Sequence, residues 1–106
     1  MANSFRVVLI TAPRGKRAEF LARSLVSEHL AACVNRVPGV VSYYRWQGRM
    51  RRDAESLLIA KTTASKLPAL RRWIETHHPY STPEVLALPV AAGSKTYLKW
   101  LTEQVL

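Results

Sequence analysis

The stretch that decides the fold reads "CVNRVPGVVSYYRWQGRM" and covers residues 33–50. Its β-branched and aromatic residues predict a long strand, which Pro38 and Gly39 interrupt without ending, as at a β-bulge or a bend in an edge strand. Gln47-Gly48-Arg49 predicts a hairpin turn, and the chain from about Met50 to Thr63 predicts the return strand. Both arms are longer than the usual five or six residues. The sequence therefore predicts a hairpin that protrudes from a small domain.

The second half of the first arm carries large apolar side chains on both faces. Strand alternation places Val40, Ser42, Tyr44 and Trp46 on one face and Val41, Tyr43 and Arg45 on the other. A small domain on its own leaves one face of such a hairpin in water, and protruding strands need pairing partners. The pattern predicts that the protein associates with further copies of itself.

The segments on either side of the hairpin complete an α+β pattern. They are a strand over 5–11, a helix from Lys16 to about Leu30, a helix after the candidate N-cap Ser65 that ends near His77, a strand over 85–90 and a closing helix around Leu101. This order predicts a ferredoxin-like βαββαβ sandwich with an antiparallel sheet and an extra C-terminal helix. One domain is expected to cover residues 1–106.

Composition and charge narrow the classes of function. Nearly half of the 106 residues are apolar, and 16 Lys and Arg against 7 Asp and Glu give a net charge of +9. Four arginines, Arg45, Arg49, Arg51 and Arg52, lie close together on the predicted hairpin. Such charge attracts polyanions, so we expect nucleic acid to bind non-specifically and with strong salt dependence.

No segment predicts a membrane span or a secretory leader. The longest uncharged apolar-rich run, residues 7–13, is too short to cross a bilayer, and residues 1–6 lack a basic region followed by a long apolar stretch. The single cysteine, Cys33, excludes an internal disulfide framework and fits a reducing compartment. We expect a cytoplasmic protein.

The predicted topology decides which candidate residues can meet. The end of the first strand, the hairpin tip and the loop from His77 to Pro83 gather at one end of the sheet, whereas Cys33 begins the second strand at the other end. Cys33 and a histidine therefore cannot form a nucleophile and base within one subunit. The chain also lacks a Gly-rich phosphate loop, a CxxC pair, an HExxH motif and a serine elbow, and Asp53 is its only aspartate. An enzyme is not expected.

Several candidate residues have a structural interpretation beside a functional one. His77 and His78 either bind a metal or ligand or only end a helix, and one histidine pair lacks the third ligand that transition metals usually require. Glu84 is either a ligand carboxylate or a solvated loop residue. Cys33 is interpreted first as a small buried side chain. These alternatives stay open at the level of sequence.

Two further candidates lie on the hairpin. Lys61 stands in an otherwise apolar strand, where a lysine is costly unless it is paired, and Glu55 is a candidate partner across a subunit boundary. Trp46 is interpreted first as a packing or interface residue and second as a ligand platform.

Five motifs in order carry a family resemblance. They are Ala-Cys-Val-Asn, Tyr-x-Trp-x-Gly, Lys-Thr, His-Pro-Tyr-x-x-Pro-Glu and Tyr-Leu-x-Trp, and the resemblance as a whole runs from about Val7 to Leu101. In these residues the chain resembles the CutA family, the divalent cation tolerance proteins. The resemblance implies a ferredoxin-like subunit that forms a homotrimer through its long hairpins, much as the PII signalling proteins do. It also implies a link to copper and other divalent cations.

The resemblance further implies a copper site built from His77 and His78 and a cysteine, at the position that Ile10 occupies here. Without that thiolate, two imidazoles suit Cu(II) or Zn(II) with modest affinity. Arg14 stands where family members more often carry an acidic residue, and its positive charge opposes cation capture.

Two functions are therefore predicted. The first is a trimer that binds divalent cations weakly through the two histidines and acts without catalysis. The second is a PII-like regulatory module that binds a small anionic ligand or a partner in clefts between subunits. The residues expected at such an interface or pocket are Cys33, Trp46, Glu55, Lys61, Tyr80 and Glu84.

Overall fold

The structure is a computed structural model and describes residues 4–106. Seven elements follow in the order β1 Phe5–Pro13, α1 Lys16–Ser27, β2 Cys33–Trp46, β3 Arg49–Thr63, α2 Leu67–His77, β4 Leu86–Pro89 and α3 Lys95–Gln104. The strands form one antiparallel sheet in the order β2-β3-β1-β4. The predicted ferredoxin-like fold with a closing helix is confirmed. The prediction about a leader rests partly on residues 1–3, which lie outside the described residues.

The hairpin of β2 and β3 is longer than the sheet that holds it. β1 pairs with β3 only from Phe5↔Thr63 to Pro13↔Glu55, so residues 40–54 continue as a two-stranded ribbon. With this ribbon the chain is elongated, and its extents are 44 × 25 × 23 Å. Its four arginines are all exposed.

A bulge and a tight turn set the register of the ribbon. Val37 lies opposite Leu57 and Val40 opposite Glu55, so one extra residue is inserted in β2 at the predicted place, where Gly39 has a φ of 75°. At the tip, Gln47 and Gly48 both have positive φ, as a two-residue type I′ turn requires. The predicted bulge and turn are confirmed.

The core lies on one face of the sheet, under α1 and α2. It consists of fully buried apolar side chains from both layers, namely Val8, Ile10, Leu58 and Ala60 from the strands and Leu21, Leu25, Leu70 and Ile74 from the helices. A smaller cluster joins α3 to the sheet through Phe5, Ala32, Leu101 and Val105. Among residues 4–106, no helix is both long enough and apolar enough to span a bilayer.

The other face of the sheet is open to solvent except where α3 packs on Phe5, at the start of β1, and it is called here the open face. Alternation gives it Leu9 from β1 and Leu57 and Ile59 from β3, which are only half-buried. Leu86 and Leu88 of β4 point to the same side and are 57% and 48% exposed. A contiguous apolar sheet face of this kind is typical of an interaction surface.

Two predicted helix ends differ from the structure. α1 ends at Ser27, because His29 adopts a left-handed φ of 58° and the N–H groups of His29 and Leu30 bond back to Val26 and Leu25. This pair of bonds is a Schellman motif, in which histidine takes the place usually held by glycine. α2 begins at Leu67 without a side-chain cap from Ser65, whose hydroxyl bonds to that of Thr63 instead.

Candidate functional site

A cleft of about 1040 Å³ opens at the upper end of the open face, where β1 ends and the ribbon begins. The ribbon supplies one wall and the loop over residues 80–84 the other. Register puts Ser42 opposite Asp53 and Val40 opposite Glu55, so these side chains share the face that the cleft occupies. The lining of the cleft includes Tyr44, Trp46, Asp53, Glu55, Tyr80 and Glu84.

Glu55 is the unusual side chain of this cleft. It is a carboxylate with only 5% of its surface exposed, and it accepts a hydrogen bond from the Tyr80 hydroxyl at 2.9 Å. The one ion pair within residues 4–106 joins Arg71 to Glu75 on α2, so Glu55 forms no ion pair with any of these residues. A buried charge that has only a neutral partner is costly, and a cation beside it lowers that cost.

The pKa values of three other titratable groups in the cleft are raised. Burial, followed by the hydrogen bond to Glu55, raises the pKa of Tyr80. Burial and the negative charge of Glu55 also raise the pKa of Glu84. The Tyr44 hydroxyl donates to Asp53, and that bond is the main cause that raises the pKa of Tyr44. Both tyrosines are therefore held as neutral donors to carboxylates.

Positive charge reaches the cleft as well. Arg14 and Arg51 line it together with the three carboxylates Asp53, Glu55 and Glu84. The lining therefore keeps one net negative charge, in a chain whose net charge is +9. The cleft differs in sign from the protein as a whole.

The two adjacent histidines have different environments. His77 is exposed on the last turn of α2, where its ring stacks on Trp73 with centroids 4.1 Å apart and its Nδ1 lies 2.8 Å from the Trp73 carbonyl oxygen. His78 is buried, with 8% of its surface exposed. Its Nε2 lies 2.8 Å from the Thr11 carbonyl oxygen and its Nδ1 accepts the Tyr80 N–H at 3.1 Å.

These contacts do not fit a complete copper site within this chain. Both ring nitrogens of His78 are already engaged, and Ile10, at the position implied for a thiolate, is fully buried in the core. Within residues 4–106, no three His, Cys, Asp or Glu side chains come together as a metal site requires. Cation binding through His77 and His78 stays a prediction, and the hydrogen bonds of His78 oppose it.

The predicted pocket residues divide between the two ends of the open face. Trp46, Glu55, Tyr80 and Glu84 meet at the cleft. Lys61 lies six residues from Glu55 along β3, about 20 Å away, opposite Cys33 of β2. Its ammonium donates to Asn35 Oδ1.

Cys33 is half-buried, so its interpretation as a buried side chain is wrong, because β2 is an edge strand at the open face.

Asp53 and Tyr44 belong to the cleft, although the sequence did not single them out as site residues. The sequence does contain the information needed to identify them, because the turn at Gln47 and Gly48 sets the register of the hairpin. Counting back from a two-residue turn pairs residue 42 with residue 53 and residue 44 with residue 51, and alternation then places Tyr44 and Asp53 on the face of Glu55.

Comparison with known proteins agrees on one family. A family model described as CutA1 divalent ion tolerance protein matches residues 6–104. The divalent-cation tolerance protein CutA of Thermus thermophilus is 52% identical over 97 residues, which are 92% of this chain and 94% of that protein. The chloroplastic CutA 1 of Oryza sativa is 50% identical over 90% of this chain, but this chain spans only 54% of that longer protein.

Solved structures give the same result for the fold. The Thermus thermophilus divalent cation tolerance protein has a TM-score of 0.92 and 50% identity, over 94% of this chain and 97% of that chain. The crystal structure of CutA1 from Oryza sativa has a TM-score of 0.95 and 45% identity, over 99% and 96% of the two chains.

Proposed function

The chain belongs to the CutA1 family of divalent ion tolerance proteins, and on that premise we propose that it contributes to cation tolerance by binding divalent cations and not by catalysis. The site that we propose for these cations is the cleft around Glu55. Two features support this assignment, namely the charge of the cleft and the chemistry of its donors.

The observation that carries the proposal is the burial of Glu55 without an ion-pair partner among residues 4–106. A divalent cation neutralises that charge and at the same time attracts Asp53 and Glu84 on the same walls. The local excess of negative charge also gives a cation a reason to enter this cleft of an otherwise basic protein.

Donor chemistry points to hard cations held weakly. Carboxylate and hydroxyl oxygens suit Mg²⁺, Ca²⁺ and Mn²⁺, whereas Cu²⁺ and Zn²⁺ prefer imidazole or thiolate. Because no three ligating side chains converge within residues 4–106, the cation keeps most of its water or takes further ligands from a neighbouring subunit. Both cases correspond to modest affinity.

We also propose that the protein is a homotrimer that covers the open face. Support comes from the exposed leucines of β4, the half-buried apolar row of β1 and β3, and the same face of the ribbon, where Tyr44 and Trp46 are both 40% exposed. The cleft lies on the same face, so a neighbouring subunit would close it. Salt-sensitive binding of nucleic acid through the ribbon arginines stays a separate prediction.

Titration with Mn²⁺, followed by electron paramagnetic resonance, tests the cation site. Glu55→Gln removes the buried charge but keeps the shape of the side chain, and we expect it to weaken binding by about tenfold or more, or about 1.4 kcal/mol. Glu75→Gln is the matched control, because Glu75 is an exposed glutamate on α2 that is paired with Arg71. Equal affinity for Glu55→Gln and the unmodified protein would remove Glu55 from the site.

The anionic-ligand hypothesis has one observation in its favour, which is that Arg14 and Arg51 line the same cleft. The three carboxylates oppose it. Thermal shifts separate the two functions: stabilisation by Mn²⁺ but not by ATP supports cation binding, and stabilisation by metal-free ATP supports the regulatory module.

A further inference from the structure

His78 uses both ring nitrogens within the subunit. A carbonyl oxygen can only accept, so the Nε2 atom, 2.8 Å from the Thr11 oxygen, carries the proton and donates it. Nδ1 then has the lone pair that accepts the Tyr80 N–H at 3.1 Å. Each imidazole nitrogen has one in-plane position, for a proton or for a lone pair. A metal ion can reach His78 only by displacing one of these contacts.

The same two bonds connect His78 to the cleft. Thr11 lies on β1 two residues before Pro13, which is the cross-strand partner of Glu55. The backbone of Tyr80 is held by His78, the two rings pack with centroids 4.7 Å apart, and the Tyr80 hydroxyl donates to Glu55 at 2.9 Å. Thr11, His78, Tyr80 and Glu55 therefore form a continuous chain of contacts from the end of β1 to the buried carboxylate.

We propose that His78 is a positioning residue of the cation cleft and not a metal ligand. It fixes Tyr80, and Tyr80 holds the Glu55 carboxylate in place at the wall of the cleft. The identity of the ligand rests on the proposed function, whereas the role of His78 rests on the two hydrogen bonds of its ring. His77 differs, since its described contacts are all with Trp73 on its own helix.

Two substitutions at one position separate a ligand from a positioning residue. In His78→Asn, the amide oxygen can accept the N–H two residues ahead, as in an Asx-turn, so Tyr80 keeps its place. In His78→Ala that acceptor is lost. We expect Mn²⁺ affinity to fall by about tenfold in His78→Ala and to stay within about threefold of the unmodified protein in His78→Asn.

A ligand role gives a different result. If His78 binds the metal, Asn and Ala both remove the imidazole and both weaken Cu²⁺ binding to the same extent, which would overturn the inference. His77→Ala is the matched control and is expected to leave Mn²⁺ affinity unchanged. Tyr80→Phe combined with His78→Ala adds a second check, since effects that act through one residue are not additive.

Nitrogen NMR of the unmodified protein gives a measurement that needs no variant to fold. We expect the His78 ring to show the neutral Nε2–H tautomer and to keep it when Zn²⁺ is added. A metal-induced shift of either His78 nitrogen, or the Nδ1–H tautomer, would overturn the inference. This readout does not depend on Glu55: if Glu55→Gln leaves Mn²⁺ affinity unchanged, the cation site fails while the tautomer still tests the role of His78.

Discussion

Each end of the open face holds one charged side chain without an ion-pair partner in the described part of the chain, and the two side chains differ in burial and in their surroundings. At the upper end, Glu55 is almost fully buried and bonds to the Tyr80 hydroxyl, whereas at the lower end Lys61 is half-buried and bonds to the Asn35 amide. Both side chains come from β3, on the same face and six residues apart. Each side chain forms a hydrogen bond with a neutral partner, which does not neutralise its charge. The difference lies in the surroundings: Glu55 shares a cleft with two other carboxylates, and only that end can concentrate cations.

The largest expected effect comes from a change midway between the two ends. Ile59 lies between Leu9 and Asn35 in the sheet, at the middle of the open face. Ile59→Asp replaces an apolar side chain of the proposed trimer interface with a carboxylate, and burying that charge costs about 3 kcal/mol or more. We expect light scattering to show loss of the trimer.

Phe20→Asp controls for this experiment, because Phe20 is 53% exposed on α1, on the other side of the molecule. It is expected to leave the oligomeric state unchanged. If Ile59→Asp keeps the mass and the thermal stability of the unmodified protein, the open face does not mediate assembly.

A smaller effect is expected from removing the Tyr80 hydroxyl, which donates a hydrogen bond to Glu55. Tyr80→Phe leaves the buried carboxylate without its described donor, so urea denaturation should show a loss of about 1 to 3 kcal/mol in the free energy of unfolding. Tyr44→Phe also removes a bond to a carboxylate, but at an exposed position of the ribbon. It should change stability little. Equal losses for the two variants would mean that burial does not distinguish Glu55 from Asp53.

The smallest expected effect concerns the rim of the cleft and depends on pH. The pKa of Glu84 is raised above its ordinary value of 4.5 in the folded protein, so its contribution to stability is present below pH 4.5 and is lost as the pH rises through the raised pKa. Glu84→Gln should therefore be more stable than the unmodified protein at pH 7 and equal to it at pH 3.5. Solvent screening keeps the difference below about 1 kcal/mol.

Urea denaturation at the two pH values measures this effect, and Glu103→Gln on α3 controls for the substitution itself. If Glu84→Gln is instead less stable than the unmodified protein at pH 7 and equal to it at pH 3.5, the predicted sign of the effect is wrong.

Much of the fold follows from local chemistry in the sequence. Pro38 and Gly39 predict the bulge, and Gln47 and Gly48 predict the turn, because both features depend on backbone angles that few residues adopt. The end of α1 was placed too late, because His29 takes a left-handed conformation that sequence patterns assign to glycine. A helix end formed in this way leaves no signal in hydrophobic spacing.

The candidate site was only partly predictable. Strand alternation brings Trp46 and Glu55 to one face, and topology brings the loop with Tyr80 and Glu84 to the same end. The contacts of His78 could not be predicted, because they depend on how a loop after Pro79 turns its backbone N–H toward a ring. The separation of Lys61 from the cleft follows from counting residues along β3, once its register with β1 is known.

The bulge at residues 38 and 39 also has an evolutionary consequence. Elsewhere in the hairpin, gaining or losing one residue rotates every later side chain to the opposite side of the sheet. At the bulge, two residues already stand opposite one, so the loss of either leaves Val37 facing Leu57 and Val40 facing Glu55. A one-residue deletion can therefore be tolerated here while the cleft keeps all of its side chains, and related chains that differ in length within this hairpin should differ at this point.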